Sequence, residues 1–126
     1  MGAGSGRPVV LVVEDDALLR SDIVSEFCWQ GWSVLDTSTG EEALTMAANH
    51  HIDAVVTGIA LDGEISGWQV AEAAREAVPS VPVIYTSRSD TELARQVPGS
   101  LFFGEPYNAE SVIEACASLV GGSRKH

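Results

Sequence analysis

The chain has 126 residues, in which 18 Asp and Glu side chains oppose 7 Lys and Arg for a formal net charge of −11. This length predicts one compact domain, and a hydrophobic content of 45% excludes disorder driven by low hydropathy. No apolar run reaches the ~20 residues that a membrane span requires, and the acidity argues against direct binding to nucleic acid. The single lysine, Lys125, lies one residue from the C-terminus.

The two ends of the chain differ in composition from its middle. The glycine-rich residues 1–6 are interpreted as a flexible leader, and residues 122–126 as a tail. Residues 7–121 contain no repeat and no low-complexity linker, which predicts a single domain with no output domain after it.

Strand and helix signals alternate along this domain. Short runs rich in apolar residues predict five strands: Val9–Val13, Trp32–Leu35, Asp53–Thr57, Val81–Thr86 and Ser100–Phe103. Caps and glycines predict five helices: one closed by Gly31, one opened by the capping box of Thr39 and Glu42, one from Ser66 to about Val78, a short one near Ser89 and Glu92, and one from Asn108 to a stop at Gly121. The alternation predicts an α/β fold, a flavodoxin-like doubly wound parallel sheet with strand order 2-1-3-4-5.

Several residue types that often carry chemistry are interpreted as structural. Cys28 and Cys116 lack metal-ligand spacing and are predicted to be reduced thiols in the core. The three tryptophans are predicted to pack in the core or at its edge: Trp29, Trp32 and Trp68. His50 and His51 are predicted to be surface residues that complement the end of the second helix.

Functional residues of a doubly wound sheet lie beyond the carboxyl ends of its strands. Glu14 and Asp15 follow the first predicted strand, and they favour a site for a hard cation such as Mg²⁺. The alternative is a solvated acidic loop in which Asp16 caps the next helix. Tyr85 and Tyr107 are predicted to flank the same region and to be available to a partner surface.

Seven segments, in this order and spacing, resemble the receiver domain of two-component response regulators. They are VVLVVEDD (9–16), GWSV (31–34), GEEAL (40–44), DAVVT (53–57), Gly67-Trp68, VPVIYTS (81–87) and Glu105-Pro106-Tyr107. The resemblance covers about residues 7–120, nearly the whole chain.

The resemblance implies a division of labour in the site. Glu14 and Asp15 match acids that hold Mg²⁺, and position 58 matches an aspartate that attacks the phosphohistidine of a partner kinase. Thr86, with Ser87 after it, matches the hydroxyl that binds the phosphoryl group. A lysine precedes the proline that matches Pro106, and an aromatic residue matching Phe102 reorients on activation.

Two of these positions depart from the family pattern. Gly58 stands at the acceptor position and Glu105 at the lysine position, so no acyl phosphate is expected and no lysine balances the acids. Three alternatives remain open. Asp62 could serve as another phosphoacceptor, Glu105 could fold inward and partly imitate the charge of the phosphorylated state, or the acids could sense a divalent cation.

The sequence therefore predicts a stand-alone, non-enzymatic pseudo-receiver that works by protein–protein contact. The resemblance implies a cytoplasmic protein, a histidine kinase or other signalling protein as partner, and a contact surface around the fourth helix, fifth strand and last helix. No cofactor is required by this prediction, weak Mg²⁺ binding is left open, and a homodimer is an alternative.

Overall fold

The computed structural model describes residues 7–87, 95–105 and 107–124, with the backbone alone described for 121–124. Its five strands are β1 (Val9–Val13), β2 (Ser33–Thr37), β3 (Ala54–Gly58), β4 (Val83–Ser87) and β5 (Leu101–Gly104). Its helices within these ranges are α1 (Ala17–Trp29), α2 (Gly40–Asn49), α3 (Gly67–Ala77) and α4 (Ala109–Arg124). The predicted short helix near Ser89 and Glu92 falls outside the described residues.

The strands form one parallel sheet in the order β2-β1-β3-β4-β5, which confirms the predicted flavodoxin-like topology. Val13 lies opposite Thr37 of β2 and Thr57 of β3. Gly58 lies opposite Thr86 of β4. This register brings the carboxyl ends of β1, β3 and β4 to the same edge of the sheet.

Helices cover both faces of the sheet because its central strands are apolar on both sides. Leu11 and Val13 of β1 pack into one core with α2 and α3. The alternate residues Val10 and Val12 pack into a second core with α1 and α4. All four side chains are at most 1% exposed, as expected for a strand buried on both faces.

Local signals set most helix ends. Gly31 ends the turn after α1 with φ of 93°, a conformation that glycine adopts at little cost. Ser66 and Gln69 form a complete capping box at α3. At α2, Thr39 accepts a hydrogen bond from the Glu42 amide, but the Glu42 carboxylate binds the Thr37 hydroxyl, so only half of the predicted box forms.

Three structural predictions were wrong. α4 continues through Gly121 to Arg124 instead of stopping at Gly121. Cys28 is exposed, whereas Cys116 is buried as expected. Trp29 is 85% exposed, whereas Trp32 and Trp68 are each 6% exposed and lie in the cores. Trp29 ends α1 on the side away from Ile23 and Phe27, the buried residues of that helix.

Within the described residues, none of the helices has both the length and the apolar character needed to cross a membrane.

Candidate functional site

The acid that follows β1 is the most buried charged group near the sheet's carboxyl edge. Glu14 is 6% exposed, its amide donates to the Thr37 carbonyl, and its Oε2 accepts from the Asp16 amide at 3.0 Å. Burial, together with the Asp15 and Glu105 carboxylates, raises the pKa of Glu14 to about 7, although the hydrogen bond from the Asp16 amide opposes the shift. Glu14 is therefore a desolvated carboxyl group whose ionised form is disfavoured by neighbouring negative charge.

The two acids after Glu14 have different surroundings. Asp15 is exposed, whereas the Asp16 carboxylate accepts from the amides of Leu18 and Leu19 at 2.9 and 3.1 Å. Asp16 is thus the N-cap of α1, as one of the two sequence interpretations required.

A cation at this edge was missed by sequence reasoning, which expected no fixed positive charge. Arg20 Nη1 donates to the Glu14 carbonyl at 2.7 Å, and its Nε lies 3.3 Å from Asp36 Oδ2 on β2. Its charge is therefore engaged by Asp36 and a backbone oxygen. A signal was present, since Arg20 lies four residues after the N-cap, one helical turn from the strand end.

The end of β3 is built from backbone alone. A Cβ on Gly58 would lie 3.4 Å from Glu14 Oε1 and from Leu61 Cδ2, both ordinary contact distances. A Cβ on Gly67 would lie 1.8 Å from the Gly58 carbonyl oxygen, so α3 starts in direct backbone contact with β3. Position 58 therefore has room for a Cβ atom, whereas position 67 excludes one.

Two hydroxyl groups face this edge from β4 and from the segment after β5. Thr86 is 2% exposed and lies beside Gly58 in the sheet. Tyr107 Oη is buried and has no hydrogen-bond partner among the described residues. Burial is the main cause that raises the pKa of Tyr107 to about 12, and the Glu14 carboxylate adds to the effect. The nearby Thr86 hydroxyl lowers that pKa, although the geometry between the two hydroxyl groups does not meet the criteria for a hydrogen bond.

Tyr85 does not flank the edge as the sequence predicted. It is 0% exposed, its ring packs against Trp68 at a tilt of 57° with centroids 4.9 Å apart, and its Oη accepts from the Val97 amide at 3.0 Å. β4 is buried on both faces, so its tyrosine points into the core and is not available to a partner.

The remaining candidates lie at the β4 and β5 ends. Ser87 and Glu105 are half-buried, and the Glu105 amide donates to the Ser87 carbonyl at 2.7 Å. Phe102 is half-buried and packs against the core that contains Tyr85. Glu105 is close enough to raise the pKa of Glu14, which places its charge at this edge. Pro106 lies outside the described residues.

Asp62 occupies an exposed loop after β3, where its backbone pairs with Thr39 at the start of α2. The loop is held there by Glu41, whose Oε2 accepts from the Glu64 amide at 2.9 Å. This anchoring ties the Asp62 segment to α2.

The Mg²⁺ that the resemblance implies does not fit the donor set present. Glu14 already binds the Asp16 amide, Asp16 caps α1, and position 58 supplies no carboxylate. Over the ranges that the structure describes, no group of three or more His, Cys, Asp or Glu side chains is arranged to hold a metal ion. Hard cations favour several oxygen ligands, and the described residues of this edge supply too few that are not already engaged.

Comparisons with known proteins agree with this geometry. The family model for the response regulator receiver domain matches residues 10–98. The polar-differentiation response regulator DivK of Brucella ovis is 30% identical over 121 residues, covering 89% of this chain and 95% of the relative.

Solved structures show the same architecture. A response regulator receiver protein from Sinorhizobium medicae WSM419 has a TM-score of 0.88 at 33% identity, covering 92% of this chain and 96% of that one. The receiver domain of sensor histidine kinase PA1611 from Pseudomonas aeruginosa PAO1, with a magnesium ion coordinated in its active site cleft, has a TM-score of 0.79 at 18% identity, covering 92% and 99%. With its strand order, site position and family match taken together, this chain belongs to the response regulator receiver domain family.

Proposed function

We propose that this chain is a receiver-like module of two-component signalling that acts through protein–protein contact and is not phosphorylated on aspartate. The observation that carries the proposal is Gly58, which ends β3 between Glu14 and Thr86 without a side chain. Covalent phosphotransfer requires a nucleophile placed at the reacting phosphorus, and glycine has none to offer. The module is accordingly proposed not to be an enzyme.

The charges at the edge also oppose phosphotransfer. The Asp15 and Glu105 carboxylates both disfavour ionisation of Glu14 and raise its pKa, and Arg20 is already engaged by Asp36 and the Glu14 carbonyl. A phosphoryl group placed ~4 Å from one such carboxylate would be repelled by about 4 kcal/mol for each unit of its negative charge, at an effective dielectric near 20. A lysine would reverse that sign, but Glu105 occupies the lysine position.

The proposal includes the setting of the module. Residues 7–121 form the working domain in the cytoplasm, and the partner is a histidine kinase or another signalling protein, not a nucleic acid or a membrane. The contact surface is built around β5 and α4, where Leu101 is 39% exposed, and a second copy of the chain is the alternative occupant. Mg²⁺ binding by Glu14 and Asp15 is proposed to be weak and not required. Thr86, Ser87 and Pro106 are proposed to be remnants of a phosphoryl site, and Phe102 is proposed to be the switch aromatic residue.

Intact-mass measurement after incubation with acetyl phosphate and Mg²⁺ tests the proposal. The wild-type chain is expected to show no adduct of roughly 80 Da, the mass of one phosphoryl group. The matched control is Gly58→Asp combined with Glu105→Lys, which restores an acceptor and a cation. This double variant is expected to carry the adduct, because a Cβ fits at position 58.

An adduct on the wild-type chain would refute the proposal. Its loss in Asp62→Asn would then assign the phosphoacceptor role to Asp62. Its persistence in that variant would assign it to another acid, and either outcome would return the chain to conventional phosphotransfer.

A further inference from the structure

Helix α1 carries large apolar side chains on two opposite sides. On one side, Ile23 and Phe27 are buried in the core beneath the helix. On the other side, Leu18 is 79% exposed and Trp29 is 85% exposed, the two highest values for large apolar residues in the ranges that the structure describes. An exposed tryptophan keeps a large apolar area in contact with water, which burial against another surface would relieve. The core therefore uses one side of α1 and leaves the other available for a contact.

Leu18 and Trp29 lie on one line along the helix. They are eleven residues apart, which is about three helical turns, so both side chains leave α1 in nearly the same direction about 16 Å apart. Asp22 and Ser25 are exposed and lie on the same line between them. The steps of four, three and four residues are those along which one helix packs against another. These four residues, Leu18, Asp22, Ser25 and Trp29, are named the outer row, and their spacing fits a second helix.

The outer row has the same order of side-chain types from either end, which is apolar, polar, polar and apolar. An identical helix that runs antiparallel, related by a two-fold axis at the middle of the row, places Leu18 opposite Trp29 and Asp22 opposite Ser25. The Ser25 hydroxyl can donate to the Asp22 carboxylate, so the polar residues match as well as the apolar ones. In this arrangement the positive end of each helix dipole lies beside the negative end of the other. The outer row is therefore complementary to a second copy of itself.

Other occupants of the same row match less well. Two parallel copies would place Asp22 against Asp22 and would align the helix dipoles unfavourably. In the antiparallel arrangement the next acid on the helix, Glu26, falls opposite Ser21, so no acid of α1 lies directly opposite another acid. A helix of another protein would have to supply two apolar residues eleven positions apart and a donor for Asp22, which a second copy already supplies.

We propose that this chain forms a two-fold symmetric dimer in which the outer rows of two antiparallel α1 helices pack together. The contact involves one helix from each copy, so it is smaller than a standard interface and the dimer is expected to dissociate on dilution. Because each copy has a net charge of −11, added salt is expected to tighten the dimer by screening the repulsion between copies. The inference goes beyond the proposed function and does not depend on it, since α1 lies outside the proposed contact surface around β5 and α4.

Sedimentation equilibrium of the full chain over a range of concentrations tests the inference. The wild-type chain is expected to pass from monomer to dimer, and the double variant Leu18→Ser, Trp29→Ser is expected to raise the dissociation constant at least about tenfold. Both side chains are exposed, so this variant is expected to fold normally. The matched control is Leu101→Ser, which removes an exposed leucine from β5 and is expected to leave the constant within about twofold of wild type.

Three outcomes of this experiment would overturn the inference. A wild-type chain that stays monomeric at every concentration would leave the outer row to a helix of another protein. Equal weakening by Leu101→Ser would move the interface to β5. A dimer that dissociates as salt is added would show that attraction between charges, and not packing of the outer rows, holds the copies together.

A gain in affinity tests the antiparallel pairing and does not depend on a loss of binding. Ser25→Lys places an ammonium group opposite Asp22 of the other copy, twice in each dimer, and is expected to tighten the dimer about fivefold. Ser118→Lys makes the same change of net charge at an exposed position of α4 and is expected to change affinity by less than about twofold. Adding Asp22→Asn to Ser25→Lys is expected to remove the gain. Equal tightening by both lysine variants would refute the pairing of Asp22 with Ser25.

Cys28 provides a direct measure of the same pairing, because it is exposed whereas Cys116 is buried. Cys28 lies beside the outer row, so a nitroxide attached to it in each copy reports the distance between copies by pulsed electron paramagnetic resonance. About nine residues separate the two Cys28 positions along the paired helices, which predicts Cα atoms roughly 15–20 Å apart. A distance well beyond that range would refute the antiparallel packing of α1.

Discussion

The ends of β1 and β3 are neighbours in the sheet, yet they are built in opposite ways. After β1, side-chain hydrogen bonds join the strand to the helix: the Glu14 carboxylate accepts from the Asp16 amide, and the Asp16 carboxylate caps α1. At the end of β3, backbone contact takes that role: Gly58 and Gly67 lie against each other with no side chain between them. The contrast shows that one sheet edge can join strand to helix through side-chain hydrogen bonds at one strand end and through direct backbone contact at the next.

The largest effect is expected where backbone meets backbone. Gly67→Ala places a Cβ 1.8 Å from the Gly58 carbonyl oxygen, so β3 and α3 must separate. The free energy of unfolding in urea is expected to fall by about 3 kcal/mol or more. The matched control, Gly58→Ala, meets nothing closer than 3.4 Å and is expected to change it by less than about 1 kcal/mol. Similar losses in both variants would contradict the contrast.

Tyr85 in the core and Tyr107 at the carboxyl end of the sheet differ in whether their hydroxyl groups form a hydrogen bond. Tyr85→Phe leaves the buried Val97 amide without its acceptor and is expected to lower the free energy of unfolding by about 1–3 kcal/mol. Tyr107→Phe removes a hydroxyl that has no partner among the described residues, so stability is expected to stay equal or to rise. Thermal unfolding of both variants measures the difference. A larger loss of stability for Tyr107→Phe would contradict the prediction that the Tyr85 hydroxyl is the one that stabilises the fold.

Ionisation of Glu14 gives the β1 end a pH dependence. Its pKa is about 7 in the folded chain, against an ordinary value of 4.5, because the fold disfavours the ionised carboxylate. The fold is therefore most stable, as far as this group is concerned, below pH 4.5, and it loses that stability as the pH rises through 7. Glu14→Gln removes the penalty and is expected to stabilise the fold by about 1–2 kcal/mol above pH 7, with no gain near pH 4. A gain that is independent of pH would indicate a packing effect instead.

The smallest effect is expected at the cap. Asp16→Ala removes the acceptor for the amides of Leu18 and Leu19 and is expected to cost about 1 kcal/mol in a urea titration. Asp15→Ala is the control, because Asp15 is exposed and does not cap the helix, and it is expected to be neutral within about 0.5 kcal/mol. Equal costs would show that net charge, and not capping, stabilises this turn.

The fold was largely predictable because its central strands are short apolar runs between clear helix signals. β1 has the predicted bounds, and the strand order follows from repeated β-then-α units. The end of α4 was not predictable in this way, since glycine lowers helix propensity by only about 1 kcal/mol and does not by itself end a helix.

The site was predictable by position but not by contact. Resemblance predicted one site containing Glu14, Gly58, Thr86 and Glu105, and in the structure Gly58 lies beside Thr86 in the sheet and close to Glu14. The bond of Arg20 to the Glu14 carbonyl was missed because a long side chain has many rotamers that spacing does not distinguish. Tyr85 was misplaced although β4 carries a signal, since a strand buried on both faces directs its aromatic residue inward.

The fit of a Cβ at position 58 has an evolutionary consequence. Codons for glycine and aspartate differ at one base, and nothing in the packing around Gly58 penalises the first atom of a new side chain. A substitution at position 58 can therefore add the first side-chain atom without displacing its neighbours, whereas position 67 is restricted to glycine by the backbone it touches. Sequence variation is accordingly expected to be tolerated more readily at position 58 than at position 67.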